Sequence, residues 1–214
     1  MKKIILSLVA IFGFGAAAQA QDSGSEFGFN QGDILVEGNF SFYTRGTSGD
    51  SSDNKHNTFV IAPRVGYFLT DKLALGVGLD FGTAKNEKLS INGADVTAYK
   101  SNRFGFDVFG RYYFLEAGQR FKFYGQGKLG LDFYGIEASK GDSKQKLTKF
   151  GIGVDLGVNY FVTPKIAINF GLADVIGFSS LKPKDGKAEN TFAGNFNVFN
   201  NFFDTPTFGA TFKF

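Results

Sequence analysis

The sequence predicts an all-β protein: an eight-stranded antiparallel transmembrane β-barrel. Three observations carry that expectation. Apolar residues alternate with polar or small ones over eight segments, the period-2 signature of strands with one apolar face. The charges of those segments fall on the opposite face, which is also rich in glycine. The connections alternate between short and long, the pattern of strands that cross a membrane and return.

The barrel does not need all 214 residues. Residues 1–20 read as a signal peptide, with Lys2 and Lys3 as a basic start and 4–14 as a short apolar core. Ala18-Gln19-Ala20 supplies the small-x-small cleavage site, so cleavage is expected after Ala20. The apolar run is too short for a spanning helix, which needs about 20 apolar residues. Residues 21–32 are expected to form a mobile periplasmic segment and 33–214 the barrel domain.

The strands follow in order. The first, 33–45, puts Ile34, Val36, Phe40 and Phe42 on one face. The second, 58–68, does so with Phe59, Ile61, Val65 and Tyr67, and the third, 73–83, with Leu73, Leu75, Val77, Leu79 and Phe81. In 103–114 the face is Phe104, Phe106, Val108, Tyr112 and Phe114; in 121–134 it is Phe121, Phe123, Leu129, Leu131 and Phe133. The sixth, 149–160, shows Phe150, Ile152, Val154, Leu156, Val158 and Tyr160. The seventh, 166–172, shows Ile166, Ile168, Phe170 and Leu172, and the eighth, 207–214, shows Phe208, Ala210, Phe212 and Phe214.

The short connections repeat. Tyr67-Phe68-Leu69-Thr70-Asp71-Lys72-Leu73 matches Tyr160-Phe161-Val162-Thr163-Pro164-Lys165-Ile166, with Tyr113-Phe114-Leu115-Glu116 between them, and the tyrosines lie 46 and 47 residues apart. One hairpin is therefore the repeating unit. Turns at 69–72, 115–120 and 162–165 are short, and loops are expected at 46–57, 84–102, 135–148 and 173–206.

A soluble eight-stranded barrel also alternates, with its apolar face inside. Three features favour the reverse. Glycine suits the crowded interior of a narrow barrel better than a solvated exterior. Short turns opposite long loops are typical of outer-membrane barrels. Aromatics gather where the short turns begin, at Tyr67-Phe68, Tyr112-Tyr113-Phe114 and Tyr160-Phe161, as an interfacial girdle does. In lipid the sheet must close, because open edges leave unpaired N–H and C=O groups.

Three motifs carry a family resemblance: Gly32-Asp33-Ile34-Leu35-Val36-Glu37-Gly38, the hairpin Pro63-Arg64-Val65-Gly66-Tyr67-Phe68-Leu69-Thr70-Asp71, and the terminal Phe208-Gly209-Ala210-Thr211-Phe212-Lys213-Phe214. With these, residues 33–214 resemble the small outer-membrane β-barrel family of Gram-negative bacteria, the OmpA-transmembrane-domain and OmpX/OmpW-like group. The resemblance implies short periplasmic turns, long extracellular loops and residence in the outer membrane, among its lipid and lipopolysaccharide. It also implies that Phe208, Phe212 and Phe214 form the C-terminal signal read by the barrel-assembly machinery. The chain ends at its last alternating segment, so a wall-anchoring role is not expected.

Composition narrows the chemistry. With no Cys and one His, thiolate chemistry, Cys-bound metals and His-rich metal sites are excluded. A net charge of +3 is too small to indicate a nucleic-acid partner. No cofactor or metal is implied. Gly76-Val77-Gly78-Leu79-Asp80-Phe81-Gly82 and Gly151-Ile152-Gly153-Val154-Asp155-Leu156-Gly157 share a G-x-G-x-D-x-G pattern. Both lie inside strands, whereas a dinucleotide site needs a strand-to-helix turn.

The inward face carries Glu37, Asp80, Asp107, Asp132 and Asp155 against Arg64, Arg111, Lys122, Lys128 and Lys149. Buried charges persist when paired, so this set reads as a polar network filling the lumen. The expected role is structural and surface-interacting: envelope integrity, adhesion or defence, with a surface partner reached through the extracellular loops. The alternative is a narrow pore or an OmpW-like conduit for small molecules. A third reading, a lipid A-modifying enzyme, would use His56 with the acid and serines of Ser51-Ser52-Asp53-Asn54, but a polar loop does not fix a triad. Lys140, Lys144, Lys146 and Lys149 form a basic cluster suited to lipopolysaccharide phosphates.

Overall fold

The computed structural model describes residues 27–47, 54–91, 94–139, 144–194 and 207–214. Nine strands are described: β1 (Ile34–Thr47), β2 (Asn54–Phe68), β3 (Leu73–Ile91), β4 (Ala94–Ala117), β5 (Phe121–Glu137), β6 (Gln145–Thr163), β7 (Ile166–Pro183), β8 (Glu189–Gly194) and β9 (Thr207–Lys213). Neighbours pair antiparallel from β1 through β7, and β9 joins β7 back to β1, closing an eight-stranded barrel. β8 is the ninth piece. It runs against the upper half of β7, where Ile176 faces Gly194, while β9 occupies the lower half, where Ile166 faces Phe212.

The seam is closed by backbone. Ile34 N–H donates to Phe214 O (2.9 Å), and Phe214 N–H donates to Ile34 O (3.0 Å). The alternation faces as expected: Val77, Phe106, Val108 and Ile152 are exposed to the lipid side, whereas Glu37, Asn39, Arg111 and Asn159 are buried within.

The repeated turn has a local cause. Thr70 Oγ1 accepts from the N–H of Lys72 (3.3 Å) and Leu73 (3.1 Å). Thr163 Oγ1 does the same for Lys165 (3.3 Å) and Ile166 (3.0 Å). The Thr-x-Lys match is therefore a side-chain-closed turn. The middle turn uses Gly118 at φ +62° instead, a conformation that glycine adopts without strain.

Several expected loops are strand. β3 and β4 run through most of 84–102, β6 starts at Gln145, and β7 reaches Pro183. From β3 to β7 the strands measure 17 to 24 residues, whereas about 9–11 suffice to cross a membrane. The walls therefore stand well clear of the lipid. Outside it the outward face need not be apolar, so the alternation fades where lipid ends, not where pairing ends. Phe196, Val198 and Phe203, in the expected loop 173–206, lie outside the described residues.

Residues 27–32 also depart from the mobile segment expected. Gly32 N–H donates to Phe68 O (2.9 Å), and Gln31 N–H to Asp71 Oδ1 (2.7 Å). Phe29 is buried inside the barrel mouth.

Inward glycines make room for rings that cross the lumen. A methyl group on Gly76 would overlap the Phe109 ring and the Val65 carbonyl, and one on Gly157 would overlap Tyr124. Gly76→Leu is expected to destabilise the barrel by about 1–3 kcal/mol, the usual cost of overpacking. Urea unfolding followed by heat-modifiable gel mobility checks this without the tryptophan the chain lacks. An unchanged midpoint would contradict the packing account.

Candidate functional site: the lumen

The lumen has three levels. The lowest is aromatic. Phe68 of β2, Phe109 and Tyr113 of β4, Tyr124 of β5 and Phe161 of β6 cluster with Leu35, Ala74 and Ala167. Phe29 enters from below and stacks on Phe68 at 4.3 Å, with Tyr113 at 5.0 Å and Phe161 at 5.1 Å. Three of these rings, Phe68, Tyr113 and Phe161, were expected in the interfacial girdle. They turn inward because consecutive strand residues face opposite ways. Their neighbours Tyr67 and Tyr112 remain on the lipid side, 51% and 52% exposed.

Above the plug lies a buried ion pair. Arg111 Nη1 donates to Glu37 Oε2 (2.7 Å) and Nη2 to Oε1 (2.9 Å). This two-toothed geometry is the strong form of the interaction. Each partner is held in turn. Asn39 Nδ2 (2.6 Å) and Thr211 Oγ1 (3.1 Å) donate to Glu37, and Arg111 Nε donates to Gln126 Oε1 (2.9 Å). The network continues from Asn159 Nδ2 to Thr211 Oγ1 (2.8 Å), from Tyr113 OH to Asn159 Oδ1 (3.1 Å) and from Tyr124 OH to Asn169 Oδ1 (2.9 Å). Asn169 Nδ2 closes it on Asn39 Oδ1 (2.9 Å). The Arg111 guanidinium lies 4.0 Å over the Tyr124 ring, a cation–π contact. Side chains from β1, β4, β5, β6, β7 and β9 thus meet in one layer.

The upper level is a polar cup of about 750 Å³. Arg64 faces Asp107 at 3.6 Å. Arg103 Nε bonds Asp132 at 2.8 Å and approaches Asp80 at 4.0 Å. Lys128 bridges Asp155 (2.7 Å) and Asp174 (3.7 Å). Lys149 lines the wall. Beyond that 3.6 Å contact, Arg64 Nε and both Asp107 oxygens are buried with no hydrogen-bond partner among the described residues.

The structure therefore brings nine of the ten expected lumen residues to the two upper levels. Lys122 stands apart at the periplasmic rim, bonded to Glu116 at 2.6 Å and lying beside Gly28. Arg103, the first residue of the expected strand 103–114, and Asp174, in the expected loop 173–206, are additions. Asn39, Gln126, Asn159, Asn169 and Thr211 are neutral amides and a hydroxyl, so the charge pattern of the sequence does not single them out. Their inward parity was the available signal.

Other candidates are placed as follows. Phe208 lies on the lipid face beside Phe40 and Phe170, Phe212 is paired with Val36 and Ile166, and Phe214 closes the seam. His56 is in β2 rather than a loop, within 3.1 Å of Thr58 Oγ1 and edge-on to Tyr43. Ser51, Ser52 and Asp53 lie outside the described residues.

Arg111→Met is expected to cost about 3–5 kcal/mol, because it leaves Glu37 buried and unpaired. Adding Glu37→Met should recover more than half of that loss in the unfolding midpoint. Equal losses in single and double variants would show that the pair is not what holds the layer. Phe29→Ala is expected to cost up to about 3 kcal/mol, a large-to-small change in a buried cluster. It should also expose residues 27–33 to protease, and unchanged protection would mean that the ring does not anchor the segment.

A family model described as an outer membrane protein beta-barrel domain matches residues 6–202. Neisserial surface protein A (NspA) superposes with a TM-score of 0.51 at 19% identity, covering 86% of this chain and 98% of that one. The outer membrane protein OprG of Pseudomonas aeruginosa gives 0.49 at 15% identity, covering 87% and 98%. E. coli outer membrane protein W gives 0.43 at 14%, covering 87% and 99%. A search of curated protein sequences gives no match. With its apolar face toward lipid and its charges enclosed, the chain belongs to the outer membrane protein β-barrel domain family and resides in the outer membrane.

Proposed function

We propose that this barrel works at the cell surface as a sealed cup, serving envelope integrity, adhesion or defence, and not as a through-pore. One observation carries the reading. Below the cup the lumen is filled twice, by the Glu37–Arg111 layer and by the aromatic plug with Phe29 inserted. An eight-stranded interior is just wide enough for side chains to fill, and here they do. What remains open faces outward: the charged cup and the tall strand walls around it.

A conduit reading draws on the cup itself, since about 750 Å³ of polar space is a plausible vestibule. Passage onward would require Phe29 to withdraw and the Glu37–Arg111 layer to part. We do not assign catalysis to His56, which lies in β2 with Thr58 Oγ1 at 3.1 Å and the Tyr43 ring edge-on. We read Phe208, Phe212 and Phe214 as the terminal strand presented to the assembly machinery. Their run along the last strand, ending at the seam, supports that reading.

Single-channel recording in a planar bilayer tests the proposal. Protein shown to be inserted is expected to stay silent to small ions. Phe29→Ala is expected to stay silent too, because the polar layer above it remains. Discrete openings of the unaltered protein would overturn the sealed cup and favour the conduit.

A further inference from the structure

The outward wall carries a feature that neither the lumen nor the apolar band explains. Beyond the lipid-facing Phe104 and Phe133, a concavity of about 620 Å³ spans β4, β5 and β6. Its floor is Gly135, paired with Asn102 on one side and Lys146 on the other. The missing side chain makes the dent. Around the point where a Gly135 Cβ would stand, only the Lys144 Cδ lies within contact, at 3.8 Å.

The far rim is cationic. Lys144 and Lys146 come from the start of β6. Lys184 follows β7, its N–H donating to the Lys146 carbonyl (3.0 Å). Lys182 is opposite Thr148, and opposed residues of an antiparallel pair share a face. All four lysines are exposed, and none forms an ion pair among the described residues. The acids nearby are Glu137, which is opposite Lys100 in register, and Asp185 beside Lys184, so positive charge predominates. The basic cluster read from the sequence is thereby redrawn. Lys149 points into the lumen cup, Lys140 lies outside the described residues, and Lys182 and Lys184 join Lys144 and Lys146.

We propose that this concavity binds the phosphorylated headgroup of an outer-leaflet glycolipid, lipopolysaccharide, with its acyl chains lying over Phe104 and Phe133. The apolar lower edge and cationic upper edge demand a ligand with both a tail and an anionic head. The site stands where the lipid-facing rows end, which is where such a head sits. Lysines are suited to phosphate as point charges. The proposal rests on the outer-membrane location and is independent of whether the lumen conducts.

The test titrates the refolded protein in detergent with bis-phosphorylated lipid A and counts bound lipid by native mass spectrometry. Lys146→Gln with Lys184→Gln is expected to weaken binding roughly ten- to thirty-fold, the effect of removing two cations near a lipid surface. Gly135→Leu, which fills the dent and leaves every charge, is expected to weaken it as well. Lys72→Gln, on a periplasmic turn, should leave it unchanged. Heat-modifiable mobility verifies that each variant is folded, and Lys146→Arg with Lys184→Arg should retain binding. Undiminished binding in both the double Gln variant and Gly135→Leu would overturn the proposal. So would equal binding of an uncharged diacylglycerol. Displacement by inorganic phosphate at matching concentration would replace the lipid assignment with a soluble-phosphate site.

Discussion

A backbone N–H or C=O that faces hydrocarbon has no water to bond, and everything else in this molecule follows from that. Strands can cross the membrane only if the sheet closes on itself. Here the ring closes through Ile34 and Phe214, which exchange both backbone hydrogen bonds. Closure at eight strands leaves an interior about the width of its own side chains. The outward face must then be apolar, and every polar side chain of the spanning segment goes inside. The interior is the only place left for charge, and charge there has to be paired.

That pairing is graded along the barrel axis. At the level of Glu37 and Arg111, both fully buried, the charges are saturated with the amide and hydroxyl partners Asn39, Gln126 and Thr211. Higher up the pairing is uneven: Arg64 meets Asp107 at 3.6 Å, Arg103 and Lys128 each hold one acid closely and a second at 4.0 and 3.7 Å, and the Asp174 side chain is 85% exposed. Where water cannot reach, a partly satisfied network is expensive, so the saturated layer belongs deep and the looser pairs belong at the mouth. The same gradient divides the labour. The lower levels make one sealed structure, and the upper level keeps polar groups available.

The sequence made the fold legible because alternation is a direct record of which face meets lipid. Phe104, Phe106 and Val108 alternate with Gly105 and Asp107, and the first three are exposed while Asp107 is buried. The same record misleads in two places. The expected strands end at 83 and 172 because the pattern stops at the lipid boundary, while pairing continues to Ile91 and Pro183. Composition around a turn points Phe68, Tyr113 and Phe161 to the girdle, because it says aromatic without saying which way. Strict parity would have placed them inside. The lumen charges were legible as a set, but their partners were not. Pairing Glu37 with Arg111 across the barrel depends on how the strands stagger, and no local pattern encodes that.

Phe29 shows how the levels depend on one another. Its ring rests on residues from β2, β4 and β6, which do not neighbour one another in the sheet. Such a pocket does not exist on an open sheet, because it appears only when the wall curves around and brings alternate strands face to face. The ring therefore docks as a consequence of closure. Once docked, it ties the segment before β1 to the turn after β2 through the Gly32–Phe68 and Gln31–Asp71 hydrogen bonds. The plug is thus the interior counterpart of the seam. The seam satisfies the edges of the sheet, and the plug satisfies the space that closing those edges creates.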